Sequence, residues 1–402
     1  MQRHFTLRNA LIALSLLLFL VAWNRGIALL YGLFALVLAV LLVSLAAPRF
    51  SLRRLNAERT YPTRLNQGEL LPVNISVRNG GWFPRYLIEL EQASPGYVEP
   101  ESATVLLPSI QATRHVTLDV PCERRGLHAL PPLLARSGYP LGISEAVGTL
   151  CEAGPEILVY PTPFALDYFP YVSGAHMPVA GVQAVALMGG SHEFIQVREY
   201  QPGDSPRHIH WPQTARHNTL MVREHEFTAA AEVTLLLDLH HAADVGEGVH
   251  TTLEYAVKIA ASVAQHACAA GHRVRLLGYG AQTLRVPAGG GRAHAEAILD
   301  ALAYVQADGD NNYETAIRQA LAEVAHGSVV VLFHSPPHTA QQAEPPLFFA
   351  RHVRPVWIHF DSHSFLNPIQ LGRRAAFERV GDVPIYTIRR GDDLAAVFRA
   401  SS

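Results

Sequence analysis

Residues 27–47 constrain the chain more than any other stretch: 21 residues without one charged side chain. As a helix, such a run spans a bilayer core of roughly 30 Å. Residues 7–23 are apolar apart from Arg8 and Asn9, and Trp23-Asn24-Arg25-Gly26 separates the two runs. The pattern predicts a hairpin of two transmembrane helices over residues 1–48, joined by a four-residue link, with Trp23 and Tyr31 as anchors at the membrane–water boundary. The first run is not read as a signal-peptide core, because no small-x-small cleavage site precedes a mature domain and a second span follows at once. Arg3 and Arg8 precede the first span, Arg49, Arg53, Arg54 and Arg59 follow the second, and only Arg25 sits between them. Positive-inside weighting places both ends, and so the soluble part, in the cytoplasm. Cys122, Cys151 and Cys268 agree with that. They are few, odd in number and without CxxC spacing, which fits a reducing compartment and excludes a disulfide framework or cysteine zinc site.

The remaining chain is long enough for two or three domains. A net charge of −2 leaves no basic footprint for nucleic acid. Lys258 is the only lysine, so arginine carries nearly all the positive charge. Over residues 49–165, short alternating runs such as 71–77 and 115–120 are separated by turn signals, among them Asn79-Gly80-Gly81, Ser94-Pro95-Gly96 and Arg125-Gly126. Strands at this spacing predict an antiparallel, sandwich-like module with a packing or interaction role. Residues 174–190 are rich in small residues and read as a mobile connection.

From residue 231 to 402 the texture is α/β. Strands are predicted at 233–238, 273–279, 328–333, 353–360 and 385–388, and helices at 251–270, 294–305, 313–325 and 392–399. Their alternation implies a parallel sheet covered on both faces, with any ligand beyond the carboxyl ends of the strands. Asp238, His240, His241, His334, Asp361 and His363 fall at those ends. They read first as polar residues capping strand ends, since nothing has the tight spacing of an HExxH motif; His240, His241, His334, Asp361 and His363 are also the residue types a metal-assisted hydrolase would use. Gly289-Gly290-Gly291 lacks the GK[ST] of a phosphate-binding loop and reads as a plain loop.

Residues 166–230 form a linker followed by a dense mixed-charge segment. A strand at 194–198 leads through Pro202-Gly203-Asp204 to a helix start at Ser205-Pro206, then Trp211, then a second strand at 219–223. Arg198, Glu199, Asp204, Arg207, Arg216, Arg223, Glu224 and Glu226 crowd one tryptophan. They suit a structural clasp with Trp211 packed and the arginines paired to carboxylates; an anion clamp built from Arg198, Arg207 and Arg216 is the less favoured reading.

Several of these motifs together resemble the domain-of-unknown-function 58 family. They include Arg124-Arg125-Gly126, Tyr139-Pro140-Leu141-Gly142 and, above all, Arg198-Glu199-Tyr200, Pro202-Gly203-Asp204, Arg207, Ile209, Trp211, Ala215-Arg216 and Leu220. The resemblance implies a membrane-anchored bacterial protein whose C-terminal part is a doubly wound parallel sheet like a von Willebrand factor type A domain. That fold usually holds Mg²⁺ through an Asp-x-Ser-x-Ser strand end, a Thr and a further Asp. Carried over, only Asp238 survives; His240 and Ala242 stand at the serine positions, Asn311 at the threonine and His334 at the second aspartate. Mg²⁺ prefers several oxygen ligands, so neither Mg²⁺-dependent adhesion nor a cofactor is expected. The resemblance further implies an inner-membrane scaffold or adaptor, not an enzyme, working with other membrane proteins and a MoxR-type AAA+ ATPase.

Overall fold

A computed structural model of the protein describes residues 2–96, 101–170, 193–199, 211–217, 219–226, 231–335, 353–366, 376–380 and 383–399. The chain divides into two compact units, residues 1–162 and 163–402.

In the first unit, helices α1 (Gln2–Arg25) and α2 (Ala28–Leu52) form the predicted hairpin, and both are long and apolar enough to cross a membrane. The connection is shorter than the expected four residues, because Gly26 turns back at φ +61 and its amide closes α1 on Ala22 O at 2.8 Å. Phe19 of α1 meets Phe34 of α2 with ring centroids 5.2 Å apart. α2 also runs past its apolar stretch: Pro48 and Ser51 are buried, and Leu52 packs on the core of the β-rich region.

That region carries ten strands: β1 (Leu55–Thr60), β2 (Arg64–Asn66), β3 (Leu70–Asn79), β4 (Arg85–Ala93), β5 (Ser102–Ile110), β6 (Thr113–Pro121), β7 (Gly126–Ala129), β8 (Leu133–Ser137), β9 (Ala146–Cys151) and β10 (Glu156–Tyr160). They form antiparallel sheets β1-β3-β6 and β5-β4-β8-β9, and a small mixed sheet β2-β10-β7. Alternation does the sorting. Leu71, Val73, Ile75 and Val77 of β3 point inward with Ile88 and Leu90 of β4, Leu118 and Val120 of β6 and Leu133 of β8, in one shared core. Each such side chain contributes about 1.5–3 kcal/mol when fully buried.

The second unit contains a separate hairpin of β11 (Glu193–Glu199) and β12 (Met221–Glu226), with α3 (Trp211–His217) between them in sequence. Its main part is a mixed α/β layer structure. The strands are β13 (Glu232–Leu237), the two-residue pair β14 (Gly246–Glu247) and β15 (His250–Thr251), β16 (Arg273–Tyr279), β17 (Thr283–Gly289), β18 (Val329–His334), β19 (Arg354–Phe360), β20 (Ala376–Val380) and β21 (Val383–Ile388). The helices are α4 (Thr252–Ala269), α5 (Arg292–Tyr304), α6 (Tyr313–Glu323), and two short ones at Ser362–Leu366 and Leu394–Arg399. Seven strands line up as β17-β16-β13-β18-β19-β21-β20. The five central strands are parallel, but both edges are antiparallel, a departure from the all-parallel expectation. The periodicity of β17 is weakened by Pro287, which an edge strand tolerates. The glycine run expected as a loop ends β17 at Gly289 and supplies the N-cap of α5 at Gly291.

Successive residues of β13 serve opposite faces. Val233, Leu235 and Leu237 join α4, α5 and Phe398 in one core; Leu236 joins Tyr313, Ile317 and Leu321 of α6 in another. α4 starts where Thr251 Oγ1 accepts the Glu254 amide (3.2 Å). It stops where Gly271, at φ +84, lets the His272 and Gly271 amides return to Ala267 O and Cys268 O.

Candidate functional site

β13 is flanked by β16, the next long strand in the chain, on one side and by the later β18 on the other. The crevice beyond the carboxyl ends of β13 and β18 is thus a topological switch point, where open α/β sheets place their ligands. A small cavity lies there. It is lined by Asp238, Ala243, Asp244, Thr252, Leu253, Ala256, Phe333, His334, Ser335 and Phe360.

Asp238 follows β13 directly and His334 is the last residue of β18. His334 Nδ1 lies 3.0 Å from Asp238 Oδ2, and the two side chains retain only 15% and 9% exposure. A carboxylate only accepts, so the Nδ1 proton points at it. The other oxygen, Oδ1, accepts the His240 amide at 3.2 Å. The His334 ring stacks on Tyr313 at 4.6 Å, nearly parallel, and the Tyr313 hydroxyl donates to Leu236 O at 3.2 Å. Burial, reinforced by the Asp238 carboxylate, holds the Tyr313 phenol well above its usual pKa of 10, so it stays a donor. On β19, His359 stacks on Trp357 at 5.4 Å and lies 6.0 Å from His334. Burial first, then the neighbouring His334, lower its pKa to about 4. Ser335 and Ser362 bond to each other at 2.9 Å in the interior.

The wall opposite the strands comes from the loop ahead of α4. Thr252 Oγ1 donates to Ala243 O (2.6 Å) and accepts from the Val245 amide (3.0 Å), while Asp244 Oδ1 accepts the Leu253 amide. Beside it, Gly309 is threaded against the strand ends. Its amide donates to Leu239 O and its carbonyl accepts the His241 amide, each at 2.9 Å. A Cβ at that position would lie 2.8 Å from Tyr279 O, so only glycine fits.

Of the five positions carried over from the type A motif, the structure joins Asp238 and His334. His240 instead forms a turn: its Nδ1 accepts the Ala242 amide at 3.1 Å, which takes that nitrogen away from ligation. Asn311 is exposed and does not line the cavity. The capping of α6 falls one residue later, to Asn312, whose Oδ1 accepts the Glu314 amide at 3.3 Å. The residues weighed for a hydrolase are likewise engaged locally. His241 Nδ1 lies 3.3 Å from Asp310 Oδ1, Asp361 accepts from Arg389 Nε at 3.1 Å, and His363 is exposed. Among the described residues no three His, Cys, Asp or Glu side chains converge as metal ligands.

In the charged segment, the strand pairing sets Arg198 opposite Val222 and Glu199 opposite Met221; the side chains of Arg198, Glu199, Arg223, Glu224 and Glu226 lie outside the described residues. So do Asp204, Arg207, the proposed turn and helix start, and residues 174–190. Trp211 departs from expectation: it opens α3 with 66% of its surface exposed, not packed in a clasp. Arg216 is also exposed. Among the described residues, a hydrogen bond from the Met221 amide to Thr214 Oγ1 (3.0 Å) ties α3 to β12, a contact that no charge pattern signals. Sequence reasoning also passed over Tyr313 and His359, although each sits one helix start or one strand register from a residue it had singled out.

Three comparisons bear on this geometry. The chain is 25% identical over 283 residues to the uncharacterized protein YeaD of Bacillus subtilis, covering 68% of each chain. It is 34% identical over 118 residues to an uncharacterized protein of Mycobacterium bovis, covering 29% of this chain and 37% of that one. Among solved structures, the CARDB domain of a Pyrococcus furiosus protein aligns at 13% identity over 26% of this chain and 91% of its own, with a TM-score of 0.18, too low to support a shared fold. Residues 196–333, from β11 almost to the end of β18 and including Asp238, match the family model described as protein of unknown function DUF58.

Proposed function

We propose that this chain is a membrane-anchored, non-enzymatic scaffold or adaptor. Its α/β part is a von Willebrand factor type A-like, doubly wound domain, whose carboxyl edge receives a protein partner. The partner we favour is a MoxR-type AAA+ ATPase, met at a bacterial inner membrane with the soluble part of the chain in the cytoplasm. Support for the fold comes from the strand order. Numbered in chain order without the two-residue pair, the seven strands read 3-2-1-4-5-7-6, with the third and sixth antiparallel. The observation that carries the functional reading is the internal closure of Asp238. Where a type A domain would offer a carboxylate to a metal, this one gives its two oxygens to His334 and to the His240 amide. The edge is then a shaped, pre-bonded surface, which suits recognition.

The test is photo-crosslinking from the edge in native membranes, with a crosslinking residue at Ala242 or Asn311, both exposed. Recovery of an AAA+ ATPase, abolished by Ala242→Arg without a change in melting, supports the proposal. Crosslinks that reach no other protein from either position, in membranes where the ATPase is present, overturn it.

A further inference from the structure

Within the first unit, an aromatic rim sits where α2 ends. Residues 80–84 join β3 to β4 and carry Trp82 and Phe83, which are 93% and 67% exposed. A loop that offers two aromatic rings to water is expensive, yet this one is tightly built. The Gly80 amide donates to Arg54 O (2.9 Å), Gly81 N donates to Asn79 Oδ1 (2.9 Å), and Asn79 Nδ2 donates to Phe83 O (2.9 Å). Arg85 then ties the loop to the helix: its Nη2 donates to Arg53 O (3.3 Å), and its guanidinium lies 4.5 Å from the centroid of the Phe50 ring. Next along β4, Leu87 is held exposed at φ +51, a backbone conformation that branched residues resist.

The position of this rim follows from the helix to which it is bonded. If Ala28 marks one face of the hydrocarbon layer, about 20 residues at 1.5 Å each reach the other face near Ala47. Arg49, Arg53 and Arg54, all exposed, come immediately after. The loop is hydrogen-bonded to Arg54 through Gly80, and Arg85 beside it to Arg53, so it lies at the level of the lipid headgroups. That is where tryptophan and phenylalanine rings are favoured in bilayers and where arginines gain from anionic lipids.

We infer that Trp82 and Phe83, flanked by Arg49, Arg53 and Arg54, form a bilayer-inserting wedge that seats the β-rich module on an anionic lipid surface. The inference rests on reading α1 and α2 as a membrane-spanning hairpin, and adds to it a second, peripheral point of attachment. The aromatic rings enter the boundary between headgroups and acyl chains, and the guanidinium groups contact lipid phosphates.

The test uses the full chain in vesicles of phosphatidylcholine and phosphatidylglycerol, with and without lipids brominated near the headgroup end of the acyl chain. Trp23→Phe and Trp211→Phe leave Trp82 together with Trp357, which is buried in the second unit. Trp82 emission should lose most of its intensity in brominated vesicles, and the loss should vanish on adding Trp82→Phe. Phe83→Ser should reduce the quenching, as should replacing phosphatidylglycerol with phosphatidylcholine. Unchanged emission in brominated vesicles overturns the inference, whether iodide in the buffer reaches Trp82 or a second protein shields it. A parallel chain that keeps only Trp23 and Trp357 separates the two readings. Quenching of Trp23 without quenching of Trp82 refutes the wedge and leaves the hairpin standing. Quenching of neither Trp23 nor Trp82, with extraction of the chain by alkaline carbonate, refutes the hairpin and the wedge with it.

Discussion

α2 and α4 are both apolar helices, and they differ in how much of each is covered by protein. α4 has eighteen residues, of which twelve are buried, from Thr252 to Cys268. α2 has twenty-five, of which only Leu41, Ser44, Pro48 and Ser51 are buried, and three of those lie in its last nine residues. α4 carries Glu254, Lys258, Gln265 and His266 and is capped by Thr251 and Gly271. α2 has no charge before Arg49, and its N-cap Ile27 makes no side-chain bond. A core helix needs capped ends and some polar surface because water reaches both. A helix apolar enough to cross a membrane can do without polar surface along its length, since its interior backbone groups bond within the helix and lipid can take the place of a core. Apolar content alone does not separate the two cases; the position of the first charge and the capping chemistry do.

The sharpest way to break this contrast is to place a carboxylate in each helix. Val263→Asp puts an unpaired charge among Val257, Ile259 and Val274, and should cost at least about 4 kcal/mol, seen as early unfolding of the α/β unit in a denaturant titration. Leu36→Asp, on a residue exposed in α2, should leave that transition in place but cost about 2.5–3.5 kcal/mol of insertion, read as loss from the membrane fraction. Tolerance of the first, or unfolding of the α/β unit by the second, would break the comparison.

The next effect is pH-dependent. His359 has an ordinary pKa of 6.5 outside the fold and about 4 within it. Between those values the unfolded chain binds the extra proton, so stability falls as pH drops from 6.5 towards 4. The loss reaches at most about 3 kcal/mol. His359→Gln should flatten a plot of melting temperature against pH in that window; an unchanged slope would show that β19 is not the source.

Removing the ring of His334 leaves the Asp238 carboxylate buried with one partner fewer. His334→Ala should destabilise by about 1–3 kcal/mol. Asp238→Asn keeps an acceptor oxygen for His334 and should cost less; if it costs more, the pair holds a different hydrogen-bond pattern. The smallest effect belongs to Trp211. Trp211→Ser should change stability by no more than about 0.5 kcal/mol, because its ring is exposed. A larger loss in a melt of the full chain would restore the clasp.

Much of the fold could be read from periodicity. The run 273–279 reappears unchanged as β16, and α4 differs by a single residue at each end from its predicted span. What could not be read was set by non-local contact. β17 and β20 exist because β16 and β21 offer them edges. α2 extends to Leu52 because its last turn has a β-rich core to rest on. At the site, Asp238 was legible as a carboxylate ending a buried strand, and His334 as the residue ending another. Their bond was not, since it depends on which two strands become neighbours. Asn311, placed at the threonine position of the type A motif, is exposed and outside the cavity, and the neighbouring Asn312 is used to cap α6.

The glycine at 309 has one more consequence. Loops beside a site commonly open and close on their own, faster than the domain unfolds. Here the Gly309 amide is spent on Leu239 O, just after β13, and the His241 amide on Gly309 O, so this part of the edge should open with the sheet. In hydrogen exchange the two amides should lag with those of β13, although neither lies in a strand. A surface that keeps the sheet's time arrives at an encounter already ordered, and little conformational entropy is lost when something docks there.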